Sequence, residues 1–142
     1  MVSFKAQVLN FTTKTERDTG LVFASAVDKL VKEVKKNRKT GGGLTPADTG
    51  NMIRSIKTST TSMPQVDKEL KEYAETTFSI GPNAVGKPVY IGVQAAYGPR
   101  MNYGFVGTDA LGRYYNQTGA FFIEGAGDKW PQFVKQSERE LA

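Results

Sequence analysis

Apolar residues recur along this chain with two periods, one close to 3.6 and one close to 2. Phe23, Val27, Leu30 and Val34, joined by Ala24 and Val31, return every three or four positions. That spacing predicts an amphipathic helix over about residues 16–37, with Thr15 and Asp18 as a capping box at its start. Lys32, Lys35, Lys36, Arg38 and Lys39 crowd its end, where cations suit the negative pole of the helix dipole, and Gly41, Gly42 and Gly43 are expected to stop it. Ahead of this helix Val2, Phe4, Ala6 and Val8 alternate with polar residues, which predicts a strand or extended arm over 1–12.

Further along, Pro46 predicts a turn, and Asp48 or Thr49 a cap for a short helix bearing Met52, Ile53 and Ile56. Thr- and Ser-rich 57–61 reads as a strand, broken by Met63 and Pro64. Val66, Leu70 and Tyr73 stand at helical spacing in a charged segment, read as a surface helix or an ordered insertion over 62–76. Segments 76–81 and 88–94 read as two strands of one hairpin, with Val89, Ile91 and Val93 on a shared face. A short helix over 95–103 is interrupted by Gly98-Pro99. Phe121, Phe122 and Ile123 predict a short apolar strand. Trp130, Phe133, Val134 and Leu141 predict a last helix over about 128–141, with Pro131 in its first turn.

The stretch from Asn102 to Phe122 mixes Tyr103, Phe105, Tyr114, Tyr115 and Phe121 with Gly104, Gly107, Gly112 and Gly119. It matches no catalytic motif. Glycine permits close backbone approach and aromatics supply contact area, so 104–119 reads as a loop built to be held by something.

Composition narrows the chemistry. The 142 residues make one domain of ordinary size. The chain has no cysteine and no histidine. Disulfides, Cys nucleophiles, the usual zinc sites and Ser-His-Asp catalysis are therefore excluded. GGGLTPADTG lacks the Lys of a P-loop, and Asp109 stands without the repeated acids of a calcium loop. Glu69, Glu72 and Glu75 interleave with Lys68 and Lys71, the pattern of a solvated face. No enzyme, cofactor or metal is expected. The formal net charge is +5, which fits an anionic partner or solubility alone. Arg100 and Arg113 interleave with Tyr97, Tyr103, Tyr114 and Tyr115, which fits either a stacking platform for a single strand or an aromatic protein interface. No run of residues is apolar enough for a membrane span or a secretory signal, so cytoplasmic synthesis is expected.

Three segments then come in a telling order: TPADTGNMIRSI (45–56), VYIGVQAAYGPRMNYGFVG (89–107) and FFIEGAGDKWP (121–131). Together they resemble the neck and tail-completion proteins of long-tailed bacteriophages, the gene-product-ten family of HK-type siphophages. The matching positions are Pro46, Asp48, Thr49, Gly50, Arg54 and Ser55 in the first segment, then Tyr97, Tyr103 and Gly104, then Phe121, Phe122 and Trp130. Gly98 departs from the family's usual Ala, and Asn102 stands at an often acidic position.

The resemblance implies an α+β fold, with a long N-terminal helix and a C-terminal helix on a small antiparallel sheet. It also implies a virion structural protein at the head–tail junction, assembled in the host cytoplasm. Its expected partners are copies of itself in a ring, sixfold by the resemblance, together with neighbouring neck proteins and the tail terminator or tube. The expected assembly residues are Tyr103, Gly104, Phe105, Tyr114, Tyr115, Asn116 and Gln117, while Pro46, Asp48, Thr49, Gly50, Arg54 and Ser55 organise a turn and helix start. Lys32, Lys35, Lys36, Arg38 and Lys39 would face passing DNA weakly, or an acidic neighbour. The competing reading is a small basic nucleic-acid-binding protein.

Overall fold

The computed structural model describes residues 3–46, 50–67, 69–74, 80–81 and 84–141, except the side chains of 12 and 13. The architecture is α+β. The elements run α1 (Phe4–Val34), α2 (Asn51–Arg54), β1 (Ile56–Ser59), β2 (Tyr90–Val93), α3 (Gly98–Tyr103), β3 (Gly104–Thr108), β4 (Tyr114–Thr118), α4 (Phe122–Gly127) and α5 (Trp130–Leu141).

The N-terminal helix begins twelve residues earlier than its expected start at 16. Where a strand or arm was expected, Ser3 caps α1 by accepting a hydrogen bond from the Ala6 amide. Alternation over Phe4, Ala6 and Val8 lost to the helical spacing of Phe4, Val8 and Phe11, helped by the good helix formers Lys5, Ala6, Gln7 and Leu9. Thr15 caps nothing. Its hydroxyl donates to the Phe11 carbonyl inside the helix.

The helix also ends before the three glycines. Its last carbonyl, on Val34, accepts from the hydroxyl of the fully buried Thr45. The connecting loop folds back so that Asn37 bridges Thr45 and the Arg38 amide reaches the Thr45 carbonyl at 2.9 Å. Gly43 lies against Lys36, and a Cβ there would fall 2.3 Å from the Lys36 carbonyl oxygen. This glycine thus serves close approach rather than helix termination.

Among the described residues two separate two-stranded antiparallel sheets stand in place of a single one. In the first, Ile56 pairs with Val93 and Ser59 with Tyr90. Among the described residues the partner of β2 is β1; the strand expected at 76–81 lies mostly outside them, at 76–79. Ser55 sets this pairing: its hydroxyl accepts from the Ala95 amide and donates to the Met52 carbonyl, and its own carbonyl accepts from Gln94. The second sheet, β3–β4, pairs Gly104 with Thr118 and Thr108 with Tyr114.

The core joins Val34 of α1, Met52 of α2, Ile56 of β1, Phe122 and Ala126 of α4, with Tyr73 and Ala95 from the connections. Tyr73 does not arrive on a surface helix. Described residues between 61 and 74 form no helix, because Asp67 bridges Ala95 and its carboxylate accepts the amides of Glu69 and Leu70. The Tyr73 amide then donates to the Asn51 side chain at 2.8 Å.

A second packing region is the crossing of α1 and α5. Phe23 meets Trp130 edge to face at 6.2 Å between centroids, and Phe133 is buried. Lys29 lies inside this crossing, with its ammonium donating to Ser25, Ser137 and Glu140. That bond pulls the Glu140 carboxyl below its ordinary range. Ser137 is fully buried, and the group clamps two helices together.

Candidate functional site: a displayed aromatic hairpin

The segment expected as a loop over 104–119 is the β3–β4 hairpin. Its strand residues Phe105, Val106, Thr108, Tyr114, Tyr115 and Thr118 are β-branched or aromatic, which suits a pleated surface. At its root Gly104 adopts φ +86°, and an added Cβ would sit 2.5 Å from the Gln117 carbonyl oxygen. Only glycine meets both demands there.

At the tip one carboxylate organises the turn. Asp109 accepts from the amides of Leu111 and Arg113, from the Arg113 guanidinium at 2.6 Å and from the Tyr115 hydroxyl at 3.2 Å. The Arg113 amide first, together with its guanidinium and the other donors, holds the Asp109 carboxyl below its ordinary range. Burial first, then this bond, pushes the Tyr115 phenol up. Among the described residues no group of three acidic side chains is placed to hold a metal ion.

The two faces of the hairpin differ. One leans on α3: Arg100 lies over the Phe105 ring at 3.9 Å, Phe105 meets Tyr115 at 6.3 Å, and the Gln117 amide reaches the Met101 sulfur at 3.2 Å. The other carries Val106 and Tyr114, which are 66% and 67% exposed, along with Asn116. Beside the root, Tyr103 and Phe121 pair edge to face at 6.4 Å and both stand exposed.

Phe121 has the left-handed backbone, φ 49°, among the described non-glycine residues. Such a conformation costs on the order of 1–2 kcal/mol. It arises because Asn102 binds the chain on both sides of the bend. The Asn102 carbonyl accepts the Phe121 amide, its side-chain oxygen accepts the Ile123 amide, and its side-chain nitrogen donates to Glu124. This is why Phe122–Gly127 is the helix α4 and not the expected apolar strand. The Asn102–Glu124 bond also accounts for an amide at position 102, since an acid there would face Glu124.

The expected assembly residues thus divide. Tyr103, Tyr114 and Asn116 are displayed, Tyr115 is partly so, and Phe105 and Gln117 turn toward α3. Gly104 shapes the root. Val106, Leu111 and Phe121 join the displayed set, and strand alternation ahead of an Asp- and Gly-containing turn was the signal for the first.

The turn residues serve the frame. Gly50 takes φ +81° and heads α2, Arg54 donates to the Tyr73 carbonyl, and Pro46 is buried. Asp48 and Thr49 lie outside the described residues. Gly98 and Pro99 begin α3 rather than interrupt it. A Cβ at position 98 would fall 2.5 Å from Val93 Cγ1, so glycine makes room for the strand.

The basic cluster is partly neutralised. Lys32 pairs with Asp28 at 2.8 Å, a bond that raises its pKa, and Lys36 pairs with Glu33, which Lys129 also holds. Arg100 and Arg113, expected in a stacking platform, are engaged by Phe105 and Asp109. No described helix is long and apolar enough to cross a membrane. No family model matches the chain, and neither does any curated protein or solved structure.

Proposed function

We propose that this chain is a structural protein of a long-tailed phage virion, completing the tail and joining it to the head as part of a ring in the neck. The observation that carries the proposal is the hairpin: a rigidly framed surface that displays Tyr103, Val106, Tyr114 and Phe121 to solvent. Aromatic side chains held out on a fixed frame are suited to protein contact, where they supply area at low entropic cost. The place, the junction of head and tail, is what the resemblance of the three sequence segments implies. The partners in this reading are copies of the chain, the adjoining neck proteins, and the tail terminator or tube.

Weak contact with passing DNA accompanies this role. Surface ion pairs to Asp28 and Glu33 offset part of the charge of the basic cluster at Lys32 and Lys36, which suits contact with DNA that stays weak. Infection with a phage lacking this protein tests the proposal. Unjoined heads and tails are expected, and normal infectious particles would sink it. For the nucleic-acid alternative, a salt titration of binding to mixed DNA is decisive: a steep slope at micromolar affinity would replace the structural reading.

A further inference from the structure

The first half of α1 carries a surface that the hairpin reading does not use. Phe4 and Phe11 are 81% and 71% exposed, and Val8 is exposed between them. At i, i+4 and i+7 the three form one stripe. Val22 stands eighteen residues beyond Phe4, about five turns on, and so lies on the same face. There α5 crosses, and Val22 lines a groove with Phe23, Val85, Trp130 and Val134. Asp18 of α1 and Glu138 of α5 stand on the rim of that groove, whose volume is about 370 Å³. The face that α5 covers thus runs on past Asp18 and Thr15 to the exposed stripe.

The charges of stripe and groove are opposite. No acidic residue occurs between Ser3 and Thr15, while Lys5 and Lys14 lie on either side of the stripe, roughly 80–100° around the helix. The groove has two apolar walls and one carboxylate on each contributing helix.

We infer that the α1 stripe of one copy docks in the α1–α5 groove of a second copy, with Phe4, Val8 and Phe11 on the apolar walls and Lys5 and Lys14 toward Asp18 and Glu138. This deepens the proposed function and rests on its premise that the chain assembles with itself. The contact joins two different patches, so it propagates head to tail and closes into a ring or runs on as a filament.

Sedimentation equilibrium of the purified full chain tests it. The wild type is expected to self-associate with rising concentration. A stripe variant, Phe4→Ser with Phe11→Ser, and a groove variant, Val134→Ser with Glu138→Lys, are each expected to weaken association at least tenfold. Mixed together they should form a one-to-one pair that grows no further, because one intact stripe meets one intact groove. Glu138→Lys alone, at an exposed position, checks that the groove effect is not misfolding, and should weaken association several-fold, less so in high salt.

A wild type that stays monomeric at about 1 mM overturns the inference. So does a groove variant that associates like wild type, which would indicate stripe-to-stripe pairing, and so does a mixture that stays monomeric. These outcomes are separate from the particle experiment: association in solution with normal particles in the absence of the protein would leave the interface standing and remove the neck role.

Discussion

The two small sheets are nearly equal in length and both antiparallel, yet they do opposite work. The β1–β2 pair puts Ile56 into the core, with Ile91 and Val93 packed against it. The β3–β4 pair leaves most of its side chains in solvent and is held from its ends, by Gly104 at the root and Asp109 at the tip. Hydrophobic burial holds the first sheet, and local hydrogen bonding with turn geometry holds the second. An isolated two-stranded hairpin is marginal in water, so the second sheet depends on α3 beneath it and on its tip.

Substitutions can break or sharpen this contrast. The largest effect is expected on the core side. Phe122→Ala removes a fully buried ring and should cost about 3–5 kcal/mol in a denaturant titration. A loss below about 1 kcal/mol would mean that α4 is not part of the cooperative core. Gly104→Ala comes next, since both its φ and the nearby Gln117 carbonyl oppose a side chain. A loss of roughly 1–3 kcal/mol is expected, together with faster amide exchange in the hairpin than in α5.

Phe121→Gly runs the other way. Glycine relieves the left-handed strain, so stability should rise by up to about 1 kcal/mol, while under the proposed function head–tail joining falls. A variant that gains stability and joins normally would show the exposed ring to be dispensable. Tyr114→Ala should change stability by less than about 0.5 kcal/mol and, under the proposed function, still impair particle joining, which measures display apart from packing.

The smallest effect concerns pH. Asp109 has a folded-state pKa below its ordinary value, so its contribution is present above the unfolded value near about 4 and is lost as pH falls through the depressed folded value. Amide exchange at Leu111 and Arg113 should therefore quicken, relative to α5, on acidification through that window. Asp109→Asn should abolish that pH dependence.

Local signals made part of this legible. The 3.6-residue period gave the body of α1 and most of α5, and the Thr- and Ser-rich run gave β1. The resemblance gave the α+β class. The first twelve residues misled because a short alternating run fits a strand and a helix equally, and Leu9 with Phe11 already broke the alternation. The hairpin was hidden because its glycines read as loop, although Asp109 and Gly112 lie between two runs of strand formers. Phe121 to Ile123 gave no local hint at all, because the bend there is imposed by Asn102, nineteen residues earlier.

The sequence by itself determined which residues want burial, which bend the backbone and which side-chain types, cysteine and histidine, are absent, because these depend on side-chain type and near neighbours. Tertiary structure decided the rest. It paired β2 with β1 through Ser55, ended α1 with Thr45, and used Gly43 and Gly98 for close approach. It also set which aromatic residues face inward and which are displayed. Each of these turns on a contact between residues distant in the chain, and no local period encodes such a contact.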